Sequence, residues 1–124
     1  MKYAINAEVP TPNGPYAKGT TAGRLVFTSG QLALADDGSS LVGKSAAEQA
    51  NRILDLCEKI LSEVDLELSD VAKVNVFLAN MTDKDAVDDV IENRFSLPAP
   101  AVSVVGVSEL PMGALVEMDC VACR

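Results

Sequence analysis

Residues 98–123 of the chain read PAPAVSVVGVSELPMGALVEMDCVAC. Two runs of small and β-branched residues, 101–108 and 114–123, stand on either side of the turn sequence ELPMG. Apolar runs bounded by turn residues predict two strands. Glu117 falls inside the second run, so a carboxylate is expected within a strand that is otherwise largely buried.

Two helices are predicted before this segment. Ser45-Ala-Ala-Glu48 has the spacing of a capping box, in which the serine hydroxyl and the glutamate carboxylate each satisfy a free backbone N–H at a helix start. Apolar residues then recur at helical spacing to about residue 64. They are Ala46, Ala50, Ile53, Leu54, Cys57, Ile60, Leu61 and Val64. One face of this helix is therefore expected to pack on a sheet.

The second helix is predicted to begin at Thr82 as its N-cap and to end before Pro98, which forbids continuation. Acidic residues in its first turn favour the positive end of the helix dipole. Its predicted buried stripe consists of Ala86, Val87, Val90, Ile91 and Phe95.

The remaining strands come from shorter patterns. Residues 2–6 form a short, weak strand, and 9–23 is a loop rich in proline and glycine. Runs 24–29 and 31–35 have strand composition, and Gly30 between them predicts a bend or a bulge. Residues 72–78 alternate as a strand.

The order of three strands, helix, strand, helix and two strands predicts an α+β fold with both helices on one side of the sheet. A chain of 124 residues is one domain, 1–124. Run 101–108 is apolar at both alternating sets of positions, so neither face of that strand is expected to be exposed to solvent. We therefore expect partner subunits to cover the face without helices.

Composition and charge exclude several classes of function. The net charge is −8 and the ten basic residues are scattered, so nucleic acid is not an expected partner. No run of about 18 apolar residues is present, and the first residues lack the pattern of a signal peptide. These features predict a cytoplasmic protein with no membrane association.

Metal and cofactor chemistry is not expected either. There is no histidine, which rules out a serine–histidine–aspartate triad and the usual zinc ligation. Cys120 and Cys123 fall on opposite faces of the predicted strand, so the three cysteines are interpreted as reduced and structural. No glycine-rich phosphate loop is present. Attack by water assisted by one carboxylate is the chemistry that remains.

Several ordered motifs resemble the Rid family, also known as YjgF and L-PSP, over nearly the whole chain. They are Gly14-Pro15-Tyr16, Thr28-Ser29-Gly30-Gln31, Val76-Phe77-Leu78, Pro100-Ala101, residues 103–110 and Val116-Glu117-Met118. The chain departs from that pattern at Val102, where deaminases of the family have an arginine, and at Val104, where a cysteine is common.

The resemblance implies a chorismate-mutase-like fold, with a mixed sheet and two helices on one face, assembled as a homotrimer. It also implies a small-molecule pocket at each subunit interface. In the deaminating members the arginine holds the carboxylate of a 2-imino acid, and the glutamate matching Glu117 activates a water that attacks the imine. The products are a 2-oxo acid and ammonia. By the same resemblance the pocket is lined at the positions of Tyr16, Ser29, Gly30, Thr82, Val102 and Val104.

Three functions are therefore open. The first is an imine or enamine deaminase whose substrate preference is altered because Val102 cannot bind a carboxylate as arginine does. The second is a trimer that binds a small metabolite without catalysis, and the third is an endoribonuclease, which the acidic charge disfavours. Lys18 and Arg124 are the candidates to replace the missing positive charge.

Overall fold

The computed structural model of the chain describes residues 1–10 and 14–124. Within them, six strands form one sheet and two α-helices pack against it. The elements are β1 Lys2–Ile5, β2 Gly19–Ala22, β3 Leu25–Thr28, α1 Ala46–Ser62, β4 Val71–Leu78, α2 Lys84–Arg94, β5 Ala101–Gly106 and β6 Val116–Cys123. The strand order is β1-β2-β3-β6-β4-β5, and β4 and β5 run parallel while the other neighbours are antiparallel. The predicted α+β fold with a mixed sheet is confirmed.

The helix α1 forms where its cap and its apolar stripe predict it. The Ser45 hydroxyl accepts the Glu48 backbone N–H at 3.1 Å, while the Glu48 carboxylate lies 3.1 Å from that same hydroxyl rather than on a backbone N–H. The stripe residues are fully or almost fully buried, except Val64, which is partly buried. They pack on one face of the sheet, called here the covered face, which carries Val74, Val76 and Leu78 of β4.

Neither of the two α-helices in the described residues lies over the other face of the sheet, called here the open face. It includes Phe77 of β4, which pairs with Val105 of β5 and with Glu117 of β6, and Phe27 of β3, which pairs with Val121 of β6. Val105 is 45% exposed and Phe27 is 37% exposed. The predicted face without helices is therefore present, and apolar side chains are exposed on it. None of the helices in the described residues is long and apolar enough to cross a membrane.

Two predictions about the first half of the chain were wrong. The loop predicted for 9–23 contains β2, which is hydrogen-bonded to β1 on one side and to β3 on the other. A Cβ at Gly19 would lie 2.7 Å from the Phe27 carbonyl oxygen, so the glycine permits this close pairing. Run 31–35, predicted as a strand, makes only isolated bridges, Gln31 with Met118 and Leu34 with Leu41.

The start of the second helix also differs from the prediction. Thr82 is not its N-cap, because it lies inside the short 3₁₀ turn Met81–Asp83 and α2 begins at Lys84. The Asn80 side chain caps this turn by accepting the Thr82 backbone N–H at 3.0 Å. Ala86, predicted to be buried, is exposed, whereas the other four stripe residues are buried.

Candidate active site

A β-bulge shapes the open face beside β6. Phe27 pairs with Val121 and Gln31 pairs with Met118, so four residue steps on one strand match three on the other. The extra residue falls at Ser29–Gly30, as the glycine predicts. Gln31 and Met118 exchange both backbone hydrogen bonds, at 2.7 and 3.1 Å, which fixes the bulge next to Glu117.

The carboxylate of Glu117 lies against Gly30. A Cβ added at Gly30 would be 2.6 Å from Glu117 Oε2, so a side chain at this position would displace the carboxylate. Glu117 is half-buried, and nothing in residues 1–10 and 14–124 forms a hydrogen bond or an ion pair with its carboxylate. Burial, and secondarily the charge of Asp119, raises the pKa of Glu117 above its ordinary value. A carboxyl group in this state is suited to accept a proton.

Glu117 opens into a cleft of about 380 Å³. Tyr16, Ser29 and Gly30 also line this cleft. The Ser29 hydroxyl donates to the Ala17 carbonyl at 2.5 Å and its backbone N–H donates to the Lys18 carbonyl at 3.0 Å. These bonds attach the segment that carries Tyr16 to the bulge, although the Tyr16 side chain is 63% exposed. A second depression of about 440 Å³ lies on the solvent side of α1, and none of the predicted site residues lines it.

The other predicted site residues do not reach this cleft within one chain. Val102 pairs with Val74 and Val104 pairs with Val76, so both side chains lie on the covered face, opposite Glu117. Val102 is 38% exposed and lines a separate groove of about 240 Å³ beside α2. Thr82 is exposed, and its hydroxyl donates to Asn80 Oδ1 at 2.8 Å. A single chain thus holds the predicted residues in separate places.

Neither of the two candidate cations stands free beside Glu117. Lys18 lines the cleft, but its ammonium group donates to the Ala7 carbonyl. Arg124 is seven residues beyond Glu117 on an extended strand, which separates their backbones by about 23 Å. The Arg124 carbonyl also accepts the Arg24 guanidinium at 2.7 Å. Compensation by Arg124 within one chain is therefore excluded by distance.

Two neighbours of Glu117 were not singled out from the sequence. Asp119 follows it by two residues and therefore shares its face of β6, and Asn75 of β4 donates from Nδ2 to Asp119 Oδ1 at 2.7 Å. The two-residue spacing is a signal that the sequence alone contains. Leu32 and Pro111 also line the cleft without having been predicted.

Two of the three cysteines, Cys57 and Cys120, are buried in the core, as expected for structural residues. The sulfur atoms of Cys57 and Cys120 are 4.0 Å apart in the core, and Cys123 is exposed on the other face of β6. The Cys120 thiol and burial raise the pKa of the Cys57 thiol, so it remains protonated. Among the described residues, no group of three or more histidine, cysteine, aspartate or glutamate side chains has the arrangement of a metal site.

The mixed sheet with two helices on one face matches the fold of solved Rid-type proteins. A Rid-family protein, YyfA from Yersinia pestis, superposes with a TM-score of 0.93 at 28% identity, covering 100% of both chains. The chain belongs to the family described as Endoribonuclease L-PSP, whose model matches residues 6–124.

Two sequence relatives extend this result. A protein of Dermatophagoides farinae named 2-iminobutanoate/2-iminopropanoate deaminase is 34% identical over 112 residues, which are 90% of this chain and 88% of that protein. The RutC family protein slr0709 of Synechocystis is 38% identical over 124 residues, covering 98% of this chain and 95% of that protein. The resemblance read from the sequence motifs is confirmed.

Proposed function

We propose that this protein hydrolyses imines or enamines to carbonyl compounds and ammonia, with Glu117 as the catalytic residue. The observation that carries the proposal is the half-buried Glu117 carboxylate beside Gly30, without an ion pair in the described residues, in a cleft large enough for a small metabolite. The name of the Dermatophagoides farinae relative supports the reaction type.

The reaction needs one group that accepts a proton and then returns it. Glu117 takes a proton from water as the water oxygen attacks the imine carbon, and the C=N electron pair moves to nitrogen. The protonated carboxyl then gives its proton to the nitrogen of the tetrahedral intermediate. Glu117 then takes the proton of the hydroxyl group and passes it to the nitrogen, so the carbonyl product forms as the C–N bond breaks and ammonia leaves. Such general acid–base catalysis contributes about 10²–10⁴-fold.

The cleft is proposed to be completed by a second subunit of a homotrimer. The open face exposes apolar side chains such as Phe27 and Val105, which a partner copy would shield. Val102 and Val104 lie on the face opposite Glu117, so they can meet its cleft only from another copy of the chain. In this proposal Thr82 reaches the cleft in the same way. The bound molecule is then a small metabolite held at the subunit interface.

The substrate is proposed to lack a carboxylate. An arginine fork binds a carboxylate through two charge-assisted hydrogen bonds, and Val102 offers none. Removing one partner of a buried charge pair costs about 2–5 kcal/mol. A carboxylate placed near the negative charge of Glu117 and Asp119 would also be repelled. Neutral imines avoid both penalties.

The test compares two kinds of imine generated in the assay. An amine oxidase supplies neutral imines, and an amino acid oxidase supplies 2-iminopropanoate and 2-iminobutanoate. Wild type is expected to accelerate ammonia release from the neutral imines, and Glu117→Ala is expected to lose this activity. Val102→Arg is expected to gain about 30-fold or more on the imino acids. Val42→Arg, which adds the same charge at an exposed position outside the cleft, is the matched control.

Two results of this assay would contradict the proposal. If wild type turns over imino acids as fast as Val102→Arg does, Val102 has not changed the substrate class. If neither kind of imine is accelerated by wild type, the deaminase proposal fails.

A metabolite-binding trimer without catalysis is the second candidate. It is favoured by Val102, which gives a substrate no charge to orient it, and by Lys18, whose ammonium group is already bonded to the Ala7 carbonyl. Calorimetry that detects binding of 2-oxobutanoate or a neutral ketone, with no ammonia release from the matching imines, would support it. Cleavage of RNA by the purified protein would instead support the ribonuclease, against the expectation from a net charge of −8.

A further inference from the structure

Two polar residues stand next to Glu117 on the open face. Asp119 lies two residues along β6, so its side chain points to the same side of the sheet, with backbones about 6.6 Å apart. Asn75 is directly opposite Asp119 on β4 and donates from Nδ2 to Asp119 Oδ1 at 2.7 Å. Because the bond is partly buried and in register, it restricts the Asp119 carboxylate to this face.

We propose that Asp119, held by Asn75, is a positioning residue whose negative charge acts along the open face on Glu117 and makes that carboxylate a stronger base. The inference rests on the function proposed for Glu117. Asp119 and Asn75 do not line the cleft, so the pair acts on it through Glu117.

The chemistry of the pair supports this role. An amide donor fixes a carboxylate without neutralising it, whereas a lysine or arginine would cancel its charge. The ammonium group of Lys73, which shares the open face, donates to Ser103 Oγ at 2.8 Å and forms no ion pair with Asp119. Among the described residues, no cation pairs with Asp119 on the face where Glu117 lies.

The other groups around Glu117 bring little opposing charge. Phe77, its direct partner on β4, is apolar, and the Ser29–Gly30 bulge on the other side carries no charge. Among residues 1–10 and 14–124, the charged or titratable side chains that line the cleft with Glu117 are Tyr16 and Lys18, and the Lys18 ammonium is bonded to the Ala7 carbonyl. Repulsion from Asp119 adds to the effect of burial in raising the pKa of Glu117.

The test is a ¹³C NMR titration of the Glu117 side-chain carboxyl, together with the acid limb of the pH–rate profile on neutral imines. Asp119→Asn keeps the acceptor for Asn75 and removes the charge, and it is expected to lower the Glu117 midpoint by about 0.5–1 pH unit. Asn75→Ala removes the hydrogen bond that holds the Asp119 carboxylate, and it is expected to lower the Glu117 midpoint by a smaller amount. Asp119→Glu, which restores the charge, should return the midpoint toward that of wild type.

Asp89→Asn, the same charge change on the exposed side of α2, is the matched control and should leave the midpoint unchanged. An equal midpoint in Asp119→Asn and Asp89→Asn would overturn the proposal and leave Asp119 a structural residue. If the Glu117 midpoint is unchanged in a folded Asn75→Ala variant, Asn75 has no part in the effect of Asp119. If the NMR midpoint shifts but wild type releases no ammonia, the coupling stands and the proposed reaction fails.

Discussion

The two faces of the sheet use their side chains differently, and β4 shows both on one strand. Its covered-face residues Val74, Val76 and Leu78 are 0% exposed and pack under the helices. Its open-face residues Asn75 and Phe77 are partly exposed and adjoin Asp119 and Glu117. The covered face therefore accounts for the stability of the chain. The open face carries the polar groups that can do chemistry. In a single chain, that face is not covered by other elements.

The largest stability effect is expected on the covered face. Leu78→Ala removes a fully buried side chain and leaves a cavity, so the free energy of unfolding should fall by about 2–5 kcal/mol. Urea unfolding measures this change. Val42→Ala, at an exposed position, is the control and should stay within about 0.5 kcal/mol of wild type. A loss below 1 kcal/mol in Leu78→Ala would contradict the assignment of the core, on the usual range for such sites.

On the open face, the next effect is on assembly. Val105→Lys places a charge on the apolar patch that partner copies are proposed to cover, so the trimer should dissociate while the helical circular dichroism is retained. Sedimentation equilibrium at micromolar concentration separates the species, and Val42→Lys provides the control. Wild type that sediments as a single chain would show that copies of the chain do not cover this face.

A smaller effect is expected from crowding the Glu117 carboxylate. In Gly30→Ala the new methyl group would lie 2.6 Å from Glu117 Oε2, so the carboxylate must move. Because a displacement of about 1 Å can cost 10²-fold, kcat/KM on neutral imines should fall by about 10- to 100-fold. The melting temperature should change little, since the displaced atoms are at the end of a flexible side chain. If Gly30→Ala has the activity of wild type, the position of the Glu117 carboxylate beside Gly30 does not matter for the reaction.

The smallest effect is a gain in stability. The pKa of Glu117 is raised in the folded chain, so ionisation opposes folding, and stability falls as the pH rises through the folded-state pKa. Glu117→Gln cannot ionise, so its melting temperature should match wild type at about pH 4 and exceed it slightly at about pH 8. Calorimetric melting at both pH values measures the difference. A variant less stable than wild type at the higher pH would contradict the raised pKa.

The parts of the fold that depend on local interactions could be predicted from the sequence. The cap at Ser45 and the apolar stripe after it specify α1 without help from the rest of the chain. In contrast, β2 has only four residues and owes its conformation to pairing with β1 and β3. Strand composition gave a wrong prediction at 31–35, because the backbone turns after Gln31, where the Leu34 N–H donates to the Leu32 carbonyl and the Ala35 N–H donates to the Ser40 carbonyl.

The site could be predicted in part. The sequence motifs predicted Tyr16, Ser29, Gly30 and Glu117 as site residues, and all four line one cleft. The face on which Val102 lies depends on the register of β5 against β4, and an apolar pattern on both faces of β5 gives no means of choosing it. Whether copies of the chain bring Val102 to the cleft stays a prediction.

The most direct test of the central claim is the rate of ammonia release from a neutral imine, compared between wild type and Glu117→Gln. The substitution keeps the size of the side chain and removes its ability to accept a proton. If Glu117 on the open face activates water, the rate above the uncatalysed reaction should fall by about 10²–10⁴-fold. Equal rates for the two proteins would contradict the account.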